Sequence, residues 1–416
     1  MLKLKLIKVL PLFLDFFAHN QIDFYNNDYV KKFWEYIKNH KIRFCFLTGL
    51  ILLTALLFGL RYIPAVSEFW TKTVGRAYQT VVGFITSIIP YSIFEFLIVA
   101  AFIYGVLWIV LFVKKTKKNG FKQSSIKIVD LFLVVFTVLA LYVGTAGMAY
   151  HRKPLELKLS DTSSVEEEKY YAISMWATDK LNEDADQLEF DENGSVKMPY
   201  EVQTLYAKLA KEYERIDGDY LTKYSAKPKQ LVLFGWFYTE LNITGVSFLP
   251  TGEVNYNHTV PTLDIPFVIA HEMAHSKGVM NETDANNLAM YVCINSNDPF
   301  IQYSGLINIY ESLEPMAMTA NDDSKMNAFI NKLDNKVIRD FNYSYDFWTK
   351  HTFFKDMSEW FNNLYLKVFG SQTTESYIDQ IDTDVVIIDE EPKFVLNSLS
   401  PYQEIIVDYW LKENGI

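Results

Sequence analysis

Three long apolar runs lie in the first third of the 416-residue chain. They are uncharged and cover residues 44–60, 96–113 and 131–150. A helix needs about 17 to 25 mostly apolar residues to cross a bilayer. The pattern therefore predicts three membrane-spanning helices rather than buried core helices. The Lys-rich start of the chain is broken by Pro11 and Asp15, which favours an interfacial segment over a fourth span.

The pattern changes after about residue 155. Apolar residues recur at three and four positions in 163–184 and 200–216, which predicts amphipathic helices. Residues 230–238 and 245–257 are rich in β-branched and aromatic side chains, and the second stretch has a Pro-Thr-Gly turn, which predicts strands. The rest of the chain is mostly helical in pattern. We therefore expect an N-terminal α-helical membrane region followed by an α+β, mainly helical domain, with boundaries at 1–42 (a cytoplasmic or interfacial segment), 43–154 (three spans) and 155–416.

Charge divides the chain at about the same place. Residues 1–150 contain 17 Lys and Arg against 7 Asp and Glu, whereas the remainder contains 22 against 43. Lys and Arg concentrate before the first run and between the second and third, which predicts that these segments are cytoplasmic. The domain after residue 155 would then lie outside the cytoplasm, attached to a multi-pass segment in the cell membrane. Arg152 and Lys153 weakly oppose this orientation. The acidic domain has no basic stripe with interleaved aromatics, so we expect no nucleic-acid partner.

The stretch "PFVIAHEMAHSKG" contains two of the seven histidines, His271 and His275. Asp264 and Pro266 favour a helix starting near 265, and Gly278 is a suitable end. One helical turn apart, the two imidazoles can share one Zn²⁺ ion. Glu272 lies beside the first ligand, where it can take a proton from a zinc-bound water as a general base.

A catalytic zinc site usually has a third protein ligand. Asn281 and Asp284 form a start similar to a capping box, so a second helix would begin close to the end of the first. Glu282, in its first turn, is the favoured third ligand, and Asp284 is the alternative. Asn286, one turn later, is placed to hydrogen-bond a ligand.

"HEMAH" followed by "ETDAN" resembles the HExxH and ExxA(N/D) motifs of the gluzincin metallopeptidases. The resemblance implies a zincin-like fold, His271, His275 and Glu282 as zinc ligands, Glu272 as general base and Asn286 in support of a histidine. Only six residues separate His275 from Glu282, and Asn replaces the commoner Asp at 286. A resemblance over more of the chain, through the three apolar runs, "FLPTGEVNYN", "PFVIAHEMAHSKG", "ETDANNLAMYVCINSNDPFIQYSG" and "NNLYLKVFG", is to the bacterial membrane family catalogued as domain of unknown function 3810.

The favoured function is a membrane-anchored zinc metallopeptidase acting on a peptide or protein substrate. Two alternatives are a membrane receptor or scaffold whose zinc is structural or whose hydrolytic activity has lapsed, and a zinc hydrolase for another bond. A peptide would lie along an edge strand within 245–257. An oxyanion donor should come from the C-terminal helices, with the alternatives His351, Tyr365 and Tyr377. His258 is expected to be a surface residue rather than a ligand.

Overall fold

The structure is a computed structural model that describes residues 28–216, 218–351, 353–369, 381–388 and 391–416. Helices dominate the described residues, as expected. The helices in chain order are α1 (Asp28–Asn39), α2 (Lys41–Leu60), α3 (Pro64–Trp70), α4 (Arg76–Thr86), α5 (Ile93–Asn119), α6 (Phe121–Ser124), α7 (Ile126–Tyr142), α8 (Tyr170–Asp186), α9 (Val202–Glu214), α10 (Gly235–Glu240), α11 (Ile265–Ser276), α12 (Glu282–Ile294), α13 (Pro299–Met318), α14 (Asp323–Ile330), α15 (Asn335–Lys350), α16 (Lys355–Phe369) and α17 (Pro401–Glu413).

Among the described residues, three helical segments are long and apolar enough to cross a membrane, which confirms the number predicted from sequence. They are Lys41–Leu60, Ile93–Asn119 and Phe121–His151, here called spans 1, 2 and 3. Span 3 comprises α6 and α7 and ends in a π-helical turn, Val143–Gly147, and a short 3₁₀ turn. The interfacial segment predicted before span 1 falls largely on residues 1–27, which lie outside the described residues.

Two small sheets accompany the helices. The first has the order β1 (Pro228–Gln230), β3 (Glu253–Tyr256), β2 (Gly245–Phe248), with β1 parallel and β2 antiparallel to the central strand. This confirms the hairpin predicted in 245–257 and leaves β2 at one edge. A second pair, β4 (Asp382–Ile388) and β5 (Glu391–Ser398), is antiparallel.

The strand predicted over 230–238 is wrong beyond Gln230. The chain bends and forms α10 instead. The reason is a carboxylate from a distant segment: Glu95 accepts hydrogen bonds from the backbone N–H groups of Val232, Leu233 and Phe234. Those donors are therefore not available to a strand ladder.

The described residues form two compact units. Residues 28–55 and 108–140 belong to one, and residues 56–107 and 141–416 to the other. In the second unit, α11 packs against the three-stranded sheet on one side and against α12 and α13 on the other. Buried side chains such as Ile269, Met273 and Leu288 fill the space between them.

Residues 61–92, which connect spans 1 and 2, pack inside this second unit. Tyr78 donates a hydrogen bond to the Pro250 carbonyl at 2.6 Å, and the buried Lys229 ammonium donates to the Thr86 carbonyl at 2.9 Å. A Cβ on Gly252 would lie 2.7 Å from the backbone nitrogen of Gly83, so the chains meet backbone to backbone. The boundary predicted at residue 154 stays a prediction, but this connecting segment is part of the fold that follows it.

Arg152 gives this packing a charged centre. Its side chain is buried, and its guanidinium pairs with Glu68 at 2.9 Å while donating to the carbonyls of Gly278 and Tyr220. Arg152, at the end of span 3, thus has a structural partner, so its charge is no guide to the orientation of that span.

Candidate metal centre

Helix α11 carries the two histidines and is bounded as the sequence predicts. It begins at Ile265, with Pro266 in its first turn, and ends at Ser276. Gly278 has φ of +94°, a left-handed conformation that ends the helix and turns the chain toward α12. A Cβ at this position would also lie 2.9 Å from the Arg152 guanidinium, so glycine suits both the turn and the contact.

The turn brings Glu282, the first residue of α12, to the two imidazoles. Oε2 of Glu282 lies 3.3 Å from Nε2 of His271 and 3.4 Å from Nε2 of His275. The three ligand atoms all lie within 4.8 Å of one another. In a tetrahedral zinc site whose metal–ligand bonds are about 2.0–2.1 Å long, two ligand atoms lie about 3.3 Å from each other. The donor set therefore fits a small tetrahedral cation such as Zn²⁺.

Hydrogen bonding prepares His275 to act as a ligand. Its Nδ1 lies 2.7 Å from the Val279 carbonyl, so Nδ1 carries a proton in either charge state, and Nε2 faces Glu282 and gains a free lone pair once it loses its proton. Burial alone would lower the pKa of His275, but the adjacent Glu282 carboxylate raises it to about 9. Burial likewise opposes ionisation of Glu282, yet the imidazoles hold its pKa well below the usual range. The pair stores a proton that a bound cation would displace.

Glu272 is buried next to the two imidazoles. Its Oε2 has no hydrogen-bond partner among the described residues, which is rare for a buried carboxylate. Burial raises the pKa of Glu272, and the two imidazoles oppose the shift. Strand β2 lies directly against it: a Cβ built on Gly245 would lie 2.5 Å from Oε1 of Glu272. A buried carboxylate with an open oxygen is suited to accept a proton.

Asp284 and Asn286, the two other residues considered from sequence, have surroundings that differ from those of Glu282. Asn281 caps α12 by accepting from the Asp284 N–H at 3.0 Å, as expected. The Asp284 carboxylate, however, accepts from the Leu155 N–H at 3.0 Å and lies outside the cluster of ligand atoms. Asn286 lines the same cleft as the histidines. The hydrogen bond expected between Asn286 and a histidine ring does not involve Nδ1 of His271, because that atom has no hydrogen-bond partner among the described residues.

A cleft of about 660 Å³ opens beside this cluster. One wall is the edge strand β2 with the residues before it, and another is α16. The third wall comes from span 3, whose Tyr142 and Tyr150 hydrogen-bond the hydroxyl of Tyr365 on α16. Burial, opposed by those two hydrogen bonds, raises the pKa of Tyr365 to about 12, so its phenol stays protonated near neutral pH.

The structure separates the three candidate oxyanion donors. Tyr365 lines the cleft, whereas His351 pairs with Glu240 at 2.8 Å and lines a different cavity. Tyr377 lies outside the described residues. His258 is exposed, with Nδ1 3.1 Å from the Leu231 carbonyl, which confirms that it is a surface residue.

Sequence reasoning missed the tyrosines of span 3. Tyr142 and Tyr150 lie more than 200 positions before Tyr365, and aromatic residues near the end of a span are ordinarily explained by the membrane interface. No local pattern distinguishes them from such interfacial residues.

Comparison with known proteins gives one match. The family model described as "Protein of unknown function (DUF3810)" matches residues 70–383, which include spans 2 and 3, the sheet and the His271, His275 and Glu282 cluster. No curated protein and no solved structure matches the chain. Because the match extends over well more than half of its length, the chain belongs to the DUF3810 family.

Proposed function

We propose that this protein is a membrane-anchored zinc metallopeptidase in which Glu272 activates the attacking water. One observation carries the proposal. His271, His275 and Glu282 present their ligand atoms at separations suited to one tetrahedral ion, and a buried, unpartnered Glu272 oxygen lies beside them. A purely structural zinc site would have four protein ligands and no need for a neighbouring base.

Each side chain has a role that follows from its surroundings. His271, His275 and Glu282 would hold the ion, which when bound supplies Lewis acidity to water and to a carbonyl group. Glu272 takes the proton of the attacking water and returns it to the leaving amine. The Tyr365 phenol donates to the oxygen on which negative charge develops, and its hydrogen bonds with Tyr142 and Tyr150 orient it.

Strand β2 is the proposed docking edge for a substrate. Among the described strands it pairs with β3 on one side only, and it borders the cleft next to Glu272. An extended peptide can add to such an edge through main-chain hydrogen bonds, which places its carbonyl groups along the cleft. The absence of a side chain at Gly245 leaves room for Glu272 at the start of this strand.

The packing of residues 61–92 supports the proposed localisation. This segment follows span 1, and the proposed catalytic unit follows span 3. The two crossings between them, spans 2 and 3, place both on the same side of a membrane. Their shared contacts, such as Tyr78 to Pro250, require that arrangement. Together with the Lys and Arg distribution, this favours a catalytic unit outside the cytoplasm.

The test uses the full chain purified in detergent, with zinc content measured by mass spectrometry and cleavage measured on a peptide library. We expect about one zinc per chain. His271→Ala and Glu282→Ala should lose zinc and cleavage together. Glu272→Gln should retain zinc and lose about 10²- to 10⁴-fold in kcat.

Two substitutions serve as matched controls. His258→Ala removes an exposed histidine, and Glu201→Gln removes an exposed carboxylate, so both should leave zinc and activity unchanged. Stoichiometric zinc without cleavage of any peptide would favour the receptor or scaffold. Cleavage confined to ester or glycan substrates would favour a hydrolase for another bond. A folded wild-type chain without zinc would contradict the proposal.

A further inference from the structure

Helix α16 exposes an apolar face although it also borders the cleft. Its large apolar side chains recur at spacings of three and four and so lie on one side of the helix. Trp360 is 60% exposed and Phe361 is 56% exposed. The other exposed members are Met357, Leu364 and Val368.

A second exposed apolar segment lies in the same compact unit, between β1 and the end of α10. Val232, Leu233 and Trp236 are each at least half exposed, and Phe237 is partly so. Exposing large apolar side chains to water on two separate segments would be energetically unfavourable. We call these four residues, together with the five of α16, the interfacial face.

Both segments are attached to the ends of spans. Glu95, in the first turn of span 2, is buried and accepts from three consecutive N–H groups of the second segment. Arg61, which directly follows span 1, donates to the carbonyl of Val368 at 2.5 Å and of Phe369 at 3.3 Å. The C-terminal end of α16 is therefore held where span 1 ends.

The residues next to these anchor points are apolar and exposed as well. They flank the ends of spans 1 and 2 and comprise Tyr62, Ile63, Ile88, Ile89 and Tyr91. The interfacial face is thus continuous with chain that must lie at the membrane surface if the spans cross a bilayer. Aromatic side chains are favoured at the membrane–water interface, at the level of the lipid headgroups.

We propose that the interfacial face inserts into the boundary between lipid headgroups and acyl chains of the bilayer crossed by the spans. Helix α16 would lie in that boundary, with its apolar side about 5 to 10 Å deep, as amphipathic interfacial helices do. Its other side contributes Ser358, Asn362 and Tyr365 to the cleft. Phe361 belongs to the interfacial face and also lines the cleft, so the two surfaces adjoin. The cleft would therefore open at the membrane surface rather than toward bulk water.

The experiment measures lipid contact by spin-label accessibility. Single cysteines replace Trp360, Leu364 and Trp236 in a Cys45→Ser background, since Cys293 is buried and does not react. The full chain is reconstituted in vesicles of phosphatidylcholine with phosphatidylglycerol. Oxygen partitions into lipid, and a charged nickel complex stays in water, so their ratio reports depth.

We expect all three labels to show higher oxygen than nickel accessibility, as does a lipid-facing control at Phe102→Cys in span 2. A control at the exposed Asn193 should show the reverse. Nickel accessibility at Trp360 and Leu364 equal to that at Asn193 would overturn the inference. Low accessibility to both reagents would also overturn it, because a second copy or a protein partner would then cover the face.

A consequence for the substrate rests on the proposed function. A cleft at the membrane surface favours peptides that are themselves held at the membrane, such as the segment next to a lipid anchor. A cleaved library peptide carrying an acyl chain should be processed at least tenfold faster in vesicles than the same peptide without it. Equal rates would overturn this substrate class while leaving both the peptidase and the spin-label result intact.

Discussion

Asp184, on α8, is a buried carboxyl group with an oxygen that lacks a hydrogen-bond partner among the described residues. Burial raises its pKa from 3.8 to about 8. The folded chain therefore holds a proton that the unfolded chain releases. That difference stabilises the fold fully below about pH 4, and the stabilisation is lost as pH rises from about 4 to 8.

Replacing this carboxyl with an amide should remove the pH-dependent loss. Asp184→Asn is expected to be more stable than the wild type by about 1 to 3 kcal/mol at pH 8. The gain should shrink as the pH is lowered toward 4. Thermal unfolding of the detergent-solubilised chain at several pH values measures it. Asp186→Asn, exposed on the same helix, should show no such trend; a gain independent of pH at position 184 would contradict the assignment.

Single residues also show what sequence could predict. His271, His275 and their relation to Glu272 follow from helical spacing, which is local and needs no knowledge of the fold. The choice between Glu282 and Asp284 depended on where α12 begins, and the Asn281 cap settled which carboxylate turns toward α11 in the structure. Tyr142 and Tyr150 depend on contacts over more than 200 residues, which no local pattern encodes.

At the scale of elements, the closeness of β2 and α11 gives a direct test. A Cβ on Gly245 would lie 2.5 Å from Oε1 and 2.6 Å from Cγ of Glu272, so Gly245→Ala must displace the base. We expect kcat to fall by about tenfold or more, because misplacing a proton acceptor by 1 Å is costly. Zinc content should be unchanged.

The control for this substitution is Gly105→Ala, since a Cβ there would meet nothing within 4 Å. It should leave kcat and zinc content as in the wild type. Loss of zinc in Gly245→Ala would mean that the strand supports the ligands rather than the base. Unchanged kcat would show that Glu272 is not the proton acceptor.

Arg152 joins three elements through one buried guanidinium. Arg152→Met would leave the partly buried Glu68 carboxylate with the Lys72 ammonium, 3.0 Å away, as its remaining cationic partner, which should destabilise the unit by about 1 to 3 kcal/mol. The double variant Glu68→Gln/Arg152→Met removes both charges and should recover part of that loss. Thermal unfolding compares them. Equal melting temperatures for Arg152→Met and the wild type would contradict a structural role for this pair.

The elements themselves were predicted unevenly. The spans, the hairpin in 245–257 and the helices near 170–186 and 202–214 follow from periodicity and turn residues. Residues 232–237 have the composition of a strand but not its hydrogen bonds, because Glu95 takes the N–H groups of Val232, Leu233 and Phe234. A tertiary contact thus overrides local propensity at that point.

At the scale of the whole molecule, the orientation of the chain in the membrane can be measured directly. In a Cys45→Ser background, Asn193→Cys should react with a membrane-impermeant maleimide. The reagent is added to cells whose outer envelope layers have been removed and whose cell membrane is intact. Asn119→Cys, at the end of span 2, should react only after the membrane is permeabilised. The reverse pattern would place the proposed zinc ligands in the cytoplasm and refute the proposed localisation.

The hydrogen bonds of Tyr365 with Tyr142 and Tyr150 also set an order of assembly during synthesis. The ribosome makes span 3 and both of its tyrosines first, then α11 and α12, and only later α16. The wall of the cleft that holds Tyr365 is therefore absent until synthesis has passed α16, more than 200 residues after span 3. A nascent chain would already carry the histidines proposed to bind zinc, yet the proposed active site would be complete only after α16 had been made and had packed against the end of span 3.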